Sequence, residues 1–123
     1  MIFEKLFKKK APKELVFKSN EAAFQYACKF LDNSLVAKKA VTALVEDVSV
    51  NDENEQAFKV RVANKDGGKR LVSYSLRAIE GINRGDLVLW GCDVPIEPLP
   101  IGFVLAKVEP TLNLETGEWK IAS

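Results

Sequence analysis

Apolar residues recur at two different periods along this chain, and the change of period divides it. Phe24, Ala27, Cys28 and Leu31 fall at i, i+3, i+4 and i+7, which is one stripe of an α-helix. Ser19 or Asn20 can cap it, and Glu21 stands in the first turn, where the helix dipole favours an acid. Asp32-Asn33-Ser34 has turn chemistry, so the pattern predicts one helix over residues 19–33.

From residue 36 onward the period is two. Val41, Ala43, Val45, Val48 and Val50 predict a long strand with a bulge near Glu46-Asp47, against a competing helix over 35–46. Asn51 to Glu55 is a polar loop. Phe58, Val60 and Val62 alternate with Lys59 and Arg61, the signature of a half-buried strand. Asn64-Lys65-Asp66-Gly67-Gly68 is a hairpin signal, since glycine accepts the positive φ of tight turns. The return strand carries Val72, Tyr74 and Leu76 on one alternation, read as its core side. Asp86 to Trp90 is a short apolar strand, and Pro95, Pro98 and Pro100 make a stiff connection unsuited to a central ladder. A strand over 103–108 follows, and Leu112 to Ile121 reads as a last hairpin around Glu115-Thr116-Gly117.

Several short strands at this spacing favour a barrel over a parallel α/β sheet. The predicted fold is α+β and mostly β. One N-terminal helix covers one end of a small, antiparallel, partly open β-barrel of about six strands, OB-like or SH3-like. Residues 1–18 form a basic amphipathic lead segment ahead of a single helix-plus-barrel domain, residues 19–123.

Composition narrows the chemistry. The chain has 123 residues, a formal net charge of +1 and no histidine. Attraction to a polyanion must therefore be local, and the commonest general base and zinc ligand are both missing. Cys28 and Cys92 form no Cys-x-x-Cys pair and read as buried reduced thiols. Ser34 and Lys38 have the wrong spacing for a Ser-x-x-Lys unit. Adjacent Glu46 and Asp47 face opposite sides of a strand, and Gly67-Gly68-Lys69 lacks the helix a phosphate loop requires. The expectation is a non-enzyme with no cofactor and no metal. The N-terminus has no signal-peptide pattern, and no stretch nears the roughly 18 apolar residues of a spanning helix, which predicts a cytoplasmic protein.

Binding is the class that remains, because charge is uneven. Lys59, Arg61, Lys69, Arg70 and Arg77 cluster around the central hairpin, while residues 46–55 carry acids and no base. A basic sheet face with an aromatic is the minimum for single-stranded nucleic acid. Trp90, beside Pro95 and Pro98, is the candidate for a protein-binding groove. The expected partner is a protein or a single-stranded nucleic acid, and barrel edges offer a route to homo-oligomers. An alternative is a peripheral membrane adaptor. Ile2, Phe3, Leu6 and Phe7 followed by Lys8, Lys9 and Lys10 suit weak interfacial contact. The specific process and partner are not written in the residues.

Overall fold

The structure, a computed structural model, describes residues 13–31, 40–50, 56–75, 81–92 and 102–122. In chain order these form β1 (Glu14–Val16), α1 (Asn20–Phe30), β2 (Val41–Val50), β3 (Gln56–Val62), β4 (Lys69–Ser75), β5 (Leu87–Cys92), β6 (Gly102–Asn113) and β7 (Trp119–Ile121). Ser19 caps α1, its Oγ accepting from the Ala22 amide at 3.1 Å, with Glu21 in the first turn and Lys29 in the last. The helix stops at Phe30, and Leu31 is already extended. Residues 41–50 are strand, so the competing helix does not form there.

Strands β2, β3, β4, β6 and β5 close a ring, because β5 pairs with both β2 and β6. The barrel is thus closed rather than partly open. It is also not antiparallel throughout: β4 and β6 run parallel, with Tyr74 opposite Phe103 and Ser75 opposite Val104. The reason is parity. Each antiparallel contact reverses direction, so a ring of five strands must contain a contact that does not. Beyond the ring, the C-terminal half of β6 carries β1 on one side and β7 on the other, since Leu112 pairs with both Leu15 and Trp119. Glu14 to Val16, part of the basic lead by sequence, are therefore built into the sheet.

The core has two layers. Ala43, Val45, Phe58, Val60, Val88, Trp90 and Val104 fill the barrel. Phe24, Ala27 and Cys28 of α1 pack with Leu44, Leu87, Val108 and Trp119 on the other face of the wall. The helix thus lies along the outside of β2, β5 and β6. The first half of β2 is buried on both faces, which is why Val41-Thr42-Ala43-Leu44-Val45 reads as a nearly continuous apolar run. The bulge falls where the pattern places it, between Val45 and Asp47, with Glu46 as the extra residue.

Each layer holds one tryptophan with a satisfied N–H. Trp119 Nε1 donates to Thr42 Oγ1 at 2.7 Å, and Trp90 Nε1 donates to Ser73 Oγ at 2.6 Å. Gly102 completes the second site, because a Cβ there would run into the Trp90 indole.

Ser73→Ala would leave the Trp90 N–H unpaired in the barrel, at a cost of about 1–3 kcal/mol. Urea denaturation should show the lower midpoint with an unchanged slope. An unchanged midpoint would mean that the indole finds another acceptor.

Candidate binding face on β3 and β4

The register between β3 and β4 decides what the barrel shows to solvent. Phe58 and Val60 are fully buried inside it, and their partners are Ser73 and Leu71. Cross-strand partners share a face, so Ser73 and Leu71 turn inward. Val72 and Tyr74 must then face out, and they are 60% and 45% exposed. This inverts the sequence-based alternation, which places Val72 and Tyr74 on the core side. The inward serine is the acceptor that the Trp90 indole uses.

The outer face of the two strands is a ladder of three rungs: Arg61 with Arg70, Lys59 with Val72, and Ala57 with Tyr74. Lys59 is exposed, and on its other side it pairs with Asp47 of β2. On β6, Phe103 pairs with Tyr74, and Leu105, the extra residue where the β5–β6 register shifts, is exposed.

Of the cations proposed from sequence, the fold brings Lys59, Arg61 and Arg70 onto this one face. Lys69 takes the opposite alternation, paired with Val62 at the barrel rim. Arg77 lies outside the described residues, as do Pro95, Pro98 and the lead residues Ile2, Phe3, Leu6, Phe7, Lys8, Lys9 and Lys10. Trp90 is corrected: at 2% exposure it is a barrel-core residue, and its ring offers no groove to a protein partner.

The bulge adds a carboxylate to this face. Arg61 Nε donates to Glu46 Oε1 at 2.9 Å, and Arg70 Nε donates to the same oxygen at 3.1 Å. Partial burial pushes the Glu46 carboxyl up, but the hydrogen bonds and charges of Arg70 and Arg61 outweigh it and hold it below the usual range. Sequence reasoning missed Tyr74 and Val72 as surface residues and Glu46 as the partner of Arg61 and Arg70. The signal was available in the β3 pattern, since an inward Phe58 and Val60 dictate every partner once the hairpin register is known.

The remaining chemistry is spread elsewhere. Cys28 is buried on the inner face of α1, and burial pushes its thiol up. A groove of about 290 Å³ lies between β1, β6 and β7, where Glu14, Thr111, Glu118 and Lys120 line it, away from every candidate residue above. Among the described residues, no group of His, Cys, Asp and Glu is arranged to hold a metal ion, and no helix is long and apolar enough to cross a membrane.

Because the Glu46 pKa is depressed by folding, its contribution is present above the ordinary value of 4.5 and is lost as pH falls through the folded value. The stability difference between wild type and Glu46→Gln should therefore be constant near neutrality and shrink below that point, as denaturant midpoints across pH would show. A difference independent of pH would separate Glu46 from the two arginines. Comparison with known proteins finds no match to a family model, a curated protein sequence or a solved structure.

Proposed function

We propose that this protein is a non-catalytic, OB-like binding barrel that takes single-stranded nucleic acid across the outer face of β3 and β4. The observation that carries the reading is Tyr74, an exposed aromatic set on the same sheet face as Lys59, Arg61 and Arg70. Bases stack on such a ring whatever their sequence, and cations alongside neutralise the backbone. The place on the barrel also fits. In OB-folds the face of the second and third strands binds oligonucleotides. In chain order the second and third strands of this ring are β3 and β4.

A single strand suits the face better than a duplex. Stacking on Tyr74 requires an unpaired base, and the three cations on this one face are too few for broad contact with a duplex backbone. A protein partner is the second reading. Val72, Tyr74 and Leu105 form an exposed apolar strip over β4 and β6, which suits a peptide as well as a base. The cytoplasm is the proposed compartment.

Fluorescence anisotropy with a labelled, mixed-sequence single-stranded RNA over a salt series separates these readings. Binding should weaken with salt, by about 0.7 in log–log slope for each cation engaged, and the duplexed form of the same RNA should bind less tightly. Tyr74→Ala should weaken binding by about 1–3 kcal/mol, the usual worth of a stacked base. Lys59→Ala should flatten the salt slope by about 0.7. Absence of binding at low salt would end the nucleic-acid reading and leave the apolar strip as a protein contact.

A further inference from the structure

Arg61 and Arg70 are direct cross-strand partners. Two like charges in that position repel, so the pair requires an anion nearby. Glu46 supplies one negative charge against two positive ones, and the group keeps a net positive charge. Both guanidiniums reach the same carboxylate oxygen, and both do so through Nε. Each of these contacts engages Nε, which carries a single N–H. A guanidinium offers five N–H donors in a planar fork, so an Nε contact to one carboxylate oxygen leaves the terminal amino groups as further donors of the right geometry for an anion.

The pair is also held in place. The Arg61 side chain is 25% exposed, and its stem passes over Gly68, where a Cβ would strike it. Gly68 has a φ of +115°, so the turn and the passage of the stem require the same residue. Arg70 lies across the ladder with its side chain 74% exposed. One arginine is therefore fixed by packing and the other stands open, both anchored on Glu46.

We infer that Arg61 and Arg70, anchored by Glu46, form a seat for one phosphate group, and that this seat sets the position of a bound strand on the β3–β4 face. The second clause rests on the nucleic-acid reading above, and the first does not. The chemistry recognised is a tetrahedral phosphate, either a phosphodiester or a terminal phosphate. Planar forks bind phosphate oxygens in pairs, which an ammonium cannot reproduce. Successive rungs on one face are about 7 Å apart. From the Lys69 end of β4 to the Ser75 end, the ladder then presents the seat, then Lys59, then the Tyr74 ring. A strand seated by its phosphate runs past one further cation before a base reaches the aromatic.

The test uses the full chain with two probes: the single-stranded RNA, and inorganic phosphate followed through the arginine Nε–Hε resonances by NMR. Arg70→Ala and Arg70→Lys change an exposed side chain, and thermal melts confirm that both variants fold. With the RNA, Arg70→Ala should weaken binding about tenfold and flatten the salt slope by about 0.7. Arg70→Lys should recover the slope but not the affinity. Phosphate should shift the Arg61 and Arg70 resonances together. If RNA binds and Arg70→Lys equals wild type, the seat is wrong while the nucleic-acid reading stands. Should RNA fail to bind while phosphate shifts both arginines, the seat stands and the strand reading falls. If neither probe responds, both fall.

Discussion

Trp90 has one polar atom, and where that atom goes decides which way β4 faces. The indole occupies the inside of the barrel, where an unpaired N–H is costly. Its acceptor is the hydroxyl of Ser73, on the opposite wall. An inward Ser73 forces Val72 and Tyr74 outward by simple alternation. The same ring occupies the space beside Gly102 at the start of β6, next to the single parallel contact of the ring. One side chain thus links β5, β4 and β6 where the barrel closes. The exposed aromatic on the surface is a consequence of a hydrogen bond in the core.

Closure and the helix solve one burial problem between them. A five-stranded ring has an interior only wide enough for side chains, and Phe58, Val60 and Trp90 occupy much of it. The apolar residues left over point outward from β2, β5 and β6, and they need a second cover. Phe24, Ala27 and Cys28 supply it along one stripe of α1. Thr42, also on this outer side, accepts from the second tryptophan. The helix therefore covers one part of the wall, and the β3–β4 face remains open to solvent. That division, more than any sequence motif, is what makes this face the candidate site.

How much of this was legible depends on how many constraints each segment carries. In β3, Phe58, Val60 and Val62 alternate with Lys59 and Arg61, so charge and apolarity agree and the inward side is unambiguous. The α1 stripe and the bulge at Glu46 were legible for the same reason. In β4, both alternations contain an apolar residue, Leu71 on one and Val72 on the other. Read alone, the strand points its larger residues inward. Only the pairing with β3 reverses that reading, and pairing register is a tertiary fact. Trp90 was ambiguous in the same way, since a strand-end aromatic beside prolines fits a groove or a core equally well. The parallel contact follows from ring size, which the sequence does not state.

Charge completes the argument about the site. The hairpin looks basic in sequence because Arg61 and Arg70 are counted without their neighbour. In the fold, the bulge brings an acid from β2 onto the same face, and the three side chains together carry one net positive charge. A whole-molecule charge of +1 is consistent with such local compensation. A surface of this kind exerts little attraction beyond a Debye length, about 8 Å at physiological ionic strength. What it offers at contact range is the geometry of hydrogen-bond donors and the face of an aromatic ring.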